Sequence, residues 1–202
     1  MPTLALFGTS ADPPTAAHQQ IIHWLSYHYD QVAVWASDNP FKAHQTPLVH
    51  RMEMLRLLIA DIDPPRHNIH LCPDLSHPRA LITVEQARQH WSDADFTLVI
   101  GSDLVNQLPR WFRVEELFQQ VHLLVVPRPG YDLHREEVDR LRQLGADVAI
   151  ADLTGLPISS TAYREDRDAE ALTPPIEAYI HRERLYQWQD GTTKELLTRH
   201  IS

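Results

Sequence analysis

A single cysteine, Cys72, stands among 202 residues. That excludes an internal disulfide and leaves no cysteine cluster for zinc. Long apolar runs are missing as well; none approaches the roughly 20 residues that span a bilayer. No basic segment followed by an apolar one opens the sequence, so no secretory leader is expected. These absences point to a reducing cytoplasm and away from a membrane. Positive charge is also scarce. Lys and Arg number 18 against 27 Asp and Glu, a formal net charge of −9 with histidine neutral. This is the wrong sign for broad contact with a nucleic-acid backbone. A small anion is not excluded, because a few local cations and backbone amides suffice for it. There is no HExxH or comparable metal-ligand spacing, no repeat, no low-complexity tract and no linker. Histidine is abundant, and those at 23, 28, 44, 50, 67, 70, 77, 90 and 134 fall in polar surroundings, where a surface position is expected.

What is present is a folded-domain composition, 43% apolar and 22% charged. Apolar, β-branched runs at 3–7, 32–36, 69–72, 96–100, 122–126 and 148–151 read as strands. Helical spacing fills the gaps at 16–29, 49–62, 83–91, 114–119 and 136–144. Strands alternating with helices indicate a parallel sheet covered on both faces. From Ser159 onward only helices are read, at 160–165, 174–181 and 193–200, with a short turn near 184–187. The expected fold is α/β, a Rossmann-like doubly wound parallel sheet with a helical C-terminal appendage. It is treated as one domain over 1–202, with 159–202 as the helical subdomain. Ligands of such sheets bind beyond the carboxyl ends of the strands.

The first strand runs into GTSADPPTAAH, Gly8 to His18. Thr15 suits an N-cap, with His18 in the first turn of the helix. One reading is a capped helix after a loop, with His18 partly exposed. The other uses the free amides of the helix start, which favour an anion and disfavour an imidazolium, so that His18 is a neutral donor. Thr15 and His18 are three apart and share a face. A second stretch, LPISSTAYR, runs from Leu156 to Arg164. It reads either as a Ser/Thr helix cap or as hydroxyls, amides and the forked Arg164 converging on one anion. Between them, Gly101 and Asp103 follow a strand; glycine there permits close approach and a carboxylate can accept from ribose hydroxyls, or Ser102 or Asp103 simply caps a helix. Trp111 and Phe112 read equally as core aromatics, and Arg128, between two prolines, as a stiffly presented cation or a turn arginine.

The opening stretch resembles the nucleotidyltransferase signature G-x-F-D-P-x-[HT]-x-G-H. Gly8, Asp12, Pro13, Thr15 and His18 fit; Thr9, Ala11 and Ala17 stand where that family has glycine, phenylalanine and glycine. The second stretch resembles its I-S-S-T-x-[IV]-R motif, with Tyr163 at the aliphatic position. The run from Ile100 to Leu133 is similar to nicotinate mononucleotide adenylyltransferases, G-x-D-x-x-x-x-L-x-x-W-[YF] ending in V-P-R-P-G-Y. Asn39-Pro40-Phe41-Lys42 resembles the family's N-x-P-x-H-K loop, with His44 as a substitute for its histidine. HRMEML (from His50) resembles its H-R-x-x-M-[LV] helix, in which Arg51 is expected to ion-pair. Residues 80–85 fall at S-Y-T-[IV]-D-T, with Ile82 replacing tyrosine. IEAYIHRERLY looks like the family's V-E-x-Y-I-x-x-x-x-L-Y.

The resemblance implies roles. Gly8, Thr9, Ser10, Thr15, His18, Gly101, Asp103, Ile158, Ser159, Ser160, Thr161 and Arg164 would bind ATP. Lys42, Ile82, Thr83, Asp103, Trp111 and Arg128 would meet the acceptor, with Trp111 stacked on its pyridine ring and the Thr83 backbone facing its carboxylate. His18, Arg164, Thr15 and Lys42 would act in catalysis. The implied reaction joins ATP and nicotinate mononucleotide into deamido-NAD and pyrophosphate, with Mg²⁺ carried on the ATP rather than in a carboxylate cage. The amide mononucleotide as acceptor, and a non-catalytic nucleotide-binding protein, are the alternatives. A homo-oligomer is left open.

Overall fold

The computed structural model describes residues 1–38, 45–153, 155–166 and 168–186. In chain order its elements are β1 (Thr3–Thr9), α1 (Ala16–His28), β2 (Gln31–Ala36), α2 (Leu48–Ala60), β3 (Ile69–Leu71), α3 (Ala80–His90), β4 (Asp95–Gly101), α4 (Val114–Phe118), β5 (His122–Val126), α5 (Arg135–Gln143), β6 (Val148–Ile150), α6 (Ser160–Asp166) and α7 (Pro174–Glu183). The expected helix at 193–200 lies outside the described residues.

All six strands pair in parallel, in the order β3-β2-β1-β4-β5-β6. A sheet covered on both faces needs apolar residues at successive positions rather than alternation. Accordingly Leu4, Ala5, Leu6 and Phe7, the run Phe96 to Ile100 and the run Leu123 to Val126 are buried without a break. Leu6 sits opposite Ala33 on one side and Leu98 on the other. The winding therefore reverses between β1 and β4, and their carboxyl ends flank the crevice where ligands of such sheets bind.

The helices seal the faces. α1 buries Ile22 and Leu25, and α2 buries Met52, Met54, Leu55 and Leu58. Each such side chain contributes about 1.5–3 kcal/mol through removal from water. α3 begins at Ala80, three residues before the expected start. Leu81 lies one turn ahead of Val84 and Ala87 on the same buried face, so the helical period runs back through it. At the far end, α7 starts on two prolines, which fit the first helical positions. It packs on α2, where the Tyr179 hydroxyl lies 2.8 Å from His50 Nδ1. Ile176, Tyr179 and Ile180 join the same core as the sheet.

Several histidines expected at the surface are structural instead. His23, His50, His70 and His77 are half-buried, and His70 bonds to the Gln31 side chain. His122, at the amino end of β5, bridges two carboxylates, Asp147 at 2.7 Å and Asp95 at 3.2 Å. Those partners, led by the Asp147 bond, raise its pKa above the usual imidazole value. A raised folded-state pKa adds stability fully below the unfolded value of about 6.5, and that stability is lost as pH rises through the folded value. The gap in melting temperature between wild type and His122→Gln is therefore expected to be widest near pH 5.5 and to close toward pH 8.5. A gap that is constant with pH would show that the two ion pairs add nothing.

Candidate active site

The chain leaves β1 through a tight corner. Ala11 has a left-handed φ of 49°, and the Asp12–Pro13 peptide is cis. Thr15, fully buried, then caps α1. Its backbone N–H donates to His18 Nδ1 at 3.1 Å, and its hydroxyl lies 2.8 Å from the same nitrogen. An Nδ1 that accepts from an amide carries no proton. A neutral His18 must therefore hold its hydrogen on Nε2, directed away from the cap. Burial first, and the nearby positive Arg128 second, lower the His18 pKa to about 4. The neutral donor expected from the helix field is thus present, but burial and Arg128 are the causes.

Across the crevice, β4 ends at Gly101. A Cβ there would strike the Asp103 carboxylate and come within 2.7 Å of Arg128 Cδ. Gly8 is constrained likewise: a Cβ would come within 2.6 Å of the Trp35 indole. At both glycines a larger residue would have to displace one of the protein's own side chains: the Trp35 indole at Gly8, and the Asp103 carboxylate and Arg128 at Gly101. Asp103 Oδ2 accepts from Arg128 at 3.0 Å, while Oδ1 is buried with no hydrogen-bond partner among the described residues. Arg128 is held in turn by Ser102, whose hydroxyl accepts the Arg128 N–H and donates to the Tyr131 carbonyl, both at 3.0 Å.

The second motif closes over the corner. Ser159 caps α6, its hydroxyl accepting from the Ala162 N–H at 3.1 Å. The Ser160 hydroxyl donates to the Pro13 carbonyl at 2.7 Å. Arg164 donates to the Asp12 carbonyl and, at 3.3 Å, to Thr161 Oγ1. The Ser160 O–H is thus engaged within the protein, while the Ser159 and Thr161 hydroxyls act as acceptors in these bonds and keep their own O–H as donors. Ile158 is half-buried against the core.

The residues assigned to the acceptor form a second group. Thr83 does not offer its backbone: its N–H donates to the Arg79 carbonyl at 3.2 Å and its hydroxyl to the Leu75 carbonyl at 3.2 Å. Because α3 starts early, the amides of its first turn belong to Ala80, Leu81 and Ile82. Arg79 lies over the Phe112 ring at 4.3 Å, bringing this helix end against the segment that carries Trp111. Among the described residues the Arg79 guanidinium has no carboxylate partner. Trp111 is half-buried and packs on the core. Lys42, with His44, lies outside the described residues.

Two residues matter more than their motifs suggested. Arg51, only 2% exposed, makes no ion pair within hydrogen-bond distance among the described residues. It donates instead to the carbonyls of Ser10 at 3.0 Å, Ser37 at 2.7 Å and Thr46 at 2.8 Å. Tyr186, in the quoted tail stretch, donates its hydroxyl to Asp12 Oδ1 at 2.6 Å. The motif resemblance marked both positions, but spacing alone gave no partner for either.

A model of the cytidylyltransferase-like family matches residues 6–166. A probable nicotinate-nucleotide adenylyltransferase of Synechocystis is 42% identical over 197 residues, covering 91% of this chain and 98% of its own. The nicotinate-nucleotide adenylyltransferase of Bacillus subtilis is 25% identical over 199 residues, covering 93% of this chain and all of its own. The fold is shared with a Plasmodium falciparum nicotinic acid mononucleotide adenylyltransferase complexed with NaAD, at a TM-score of 0.79 and 18% identity over 92% of this chain and 98% of that one.

His18 should remain uncharged in the folded protein from neutrality down to about pH 5. Its depressed pKa means that the unfolded chain takes up a proton first, so this group's contribution to stability is lost as pH falls from about 6.5 through the folded value. An NMR titration of the imidazole ring checks this; a midpoint near 6.5 would show an exposed, ordinary histidine.

Proposed function

The chain belongs to the cytidylyltransferase-like family, and we propose that it transfers the adenylyl group of ATP to nicotinate mononucleotide, giving deamido-NAD and pyrophosphate. The observation that carries this is the donor set around the switch-point crevice: a neutral His18 with Nε2–H outward, the first amides of α1, and Arg164 with Thr161 on the adjoining helix. The 42% identity to the Synechocystis relative supports the choice of reaction.

The acceptor's phosphate needs little activation, since a phosphomonoester with a second pKa of about 6 is largely ionised near neutrality. One of its oxygens attacks the α-phosphorus of ATP. The bond from that phosphorus to the bridging oxygen breaks, and pyrophosphate leaves with the electron pair. The protein's task is to align two polyanions and to stabilise charge gathering on the leaving group. Donors serve this better than an acid/base pair. A neutral His18 donates without competing for the cation of the nucleotide, and the α1 amides complement an anion in its fixed geometry.

The buried, unpartnered Oδ1 of Asp103 fits a ribose hydroxyl, which would supply the missing hydrogen bond. The half-buried Trp111 offers an aromatic face for the pyridine ring. The free amides at Ala80 to Ile82 and the unpaired cation of Arg79 favour the acid over the amide mononucleotide, because only the acid brings a negative charge to that end of α3. Among the described residues there is no group of three or more His, Cys, Asp or Glu that could hold a metal ion. In this reading Mg²⁺ is carried on the ATP substrate. Cys72 takes no part: it is buried, and burial pushes its thiol up to about 11.

Pyrophosphate release with Mg-ATP is expected with nicotinate mononucleotide, more weakly with the amide form and not with phosphopantetheine, and EDTA is expected to abolish it. His18→Ala should lower kcat by about 10²-fold or more, the scale of one transition-state donor, with a melting temperature within a few degrees of wild type. ATP binding without pyrophosphate release from any acceptor would overturn adenylyl transfer and favour a nucleotide-binding protein.

A further inference from the structure

The end of the described chain makes a contact that the transfer reaction does not by itself require. After α7 the backbone turns left-handed at Arg184, φ 54°, and again at Tyr186, φ 53°. Left-handed backbone at non-glycine residues is costly and persists where the surroundings over-determine it. The turn is closed by the Leu185 N–H on the Ile180 carbonyl at 3.0 Å. Its result is to drive Tyr186 inward. The ring meets Tyr163 edge-on, centroids 5.9 Å apart, and the hydroxyl donates to Asp12 Oδ1 at 2.6 Å. The Thr46 side chain also bonds to Tyr186.

Asp12 is 5% exposed. It follows the left-handed Ala11 and precedes Pro13, whose carbonyl accepts from Ser160. Its own carbonyl accepts from Arg164. Three residues on, Thr15 begins the helix whose amides and His18 face the crevice. Asp12 thus sits at the joint between the strand exit and the donor set, and its carboxylate is held from the far end of the chain. A buried carboxylate needs hydrogen-bond donors to stay in one place, and the Tyr186 hydroxyl is such a donor.

We infer that Tyr186 is a positioning residue for adenylyl transfer: its hydroxyl holds the Asp12 carboxylate and, through it, the aim of the α1 amides and of His18 Nε2–H. The inference rests on the adenylyl-transfer reading above. It ties turnover to the C-terminal segment, although that segment contributes no group to the reacting atoms in this assignment.

The test is a cycle of Tyr186→Phe, Asp12→Asn and the double variant, with kcat, KM for ATP and for the acceptor, and melting temperature measured for each. Tyr186→Phe is expected to lower kcat about tenfold or more and to leave KM for the acceptor within about twofold. It strands a buried carboxylate, so its melting temperature falls too. The double variant strands no charge. It should regain stability without regaining turnover, and its kcat should be no lower than that of the worse single variant, because both residues act through one bond. Recovery of kcat together with stability would overturn the inference and leave Tyr186 a structural residue, as would full kcat in Tyr186→Phe. Losses that add in the double variant would overturn it as well. Should wild type release no pyrophosphate with any acceptor, the transfer reading fails separately. The Tyr186–Asp12 link is then judged by ATP affinity, which must fall in Tyr186→Phe; unchanged affinity overturns it.

Discussion

One buried guanidinium joins the three segments that surround the corner after β1. Arg51, on the first turn of α2, donates to carbonyls at the exit of β1, the exit of β2 and the entrance to α2 itself. Burying a charge costs several kcal/mol in an apolar interior. Here the cost is offset by three charge-assisted bonds to backbone carbonyls, which a neutral apolar side chain of similar size could not supply. The consequence is geometric. Arg51 ties the Ser10 and Ser37 backbones to each other, alongside the direct bond from the Ser37 N–H to the Thr9 carbonyl at 2.7 Å. The corner can then carry a left-handed alanine and a fully buried threonine cap without fraying.

On that fixed corner the electrostatics follow from proximity. Two elements approach from opposite sides of the switch point, the start of α1 and the turn after β5. Arg128 is drawn toward the crevice by Asp103, and its charge is felt by His18. The histidine meets two influences of one sign, burial and a guanidinium. Both favour the uncharged ring, and the Thr15 amide chooses the tautomer. The crevice therefore keeps an uncharged donor from neutrality down to about pH 5, which suits chemistry that needs no proton taken from its nucleophile. α6 completes the corner from the other end of the chain by hydrogen bonds to the Asp12 and Pro13 carbonyls.

Much of this was legible in the order of residues. The six apolar runs became the six strands with ends shifted by two residues at most, because continuous burial on both faces forces continuous apolar sequence. Thr15 and His18 were readable as cap and first-turn donor because the helix period fixes their relation locally. Less legible was α3, where Ala80 to Ile82 look like loop until Leu81 is seen to share a buried face with Val84. That shift moved the free amides off Thr83. Arg51, expected to ion-pair, meets backbone carbonyls instead of a contacting carboxylate among the described residues, with Asp12 and Asp38 acting on it only through their charge: a charged side chain in an amphipathic helix gives no sign that carbonyls from two strand exits will converge on it.

Sequence by itself determined the alternation of strands and helices, the composition of both phosphate-type motifs and the place of Thr15 and His18 in the first turn of α1, because these depend on neighbours within a few residues; that His18 is neutral was decided by burial and by Arg128. Tertiary structure decided which hydroxyls remain for a ligand, which side chains crowd Gly8 and Gly101, and that Tyr186 reaches Asp12. Such contacts join residues up to 174 apart in the chain. They exist because a parallel sheet gathers strand exits at one edge, and no local pattern records which exits will meet.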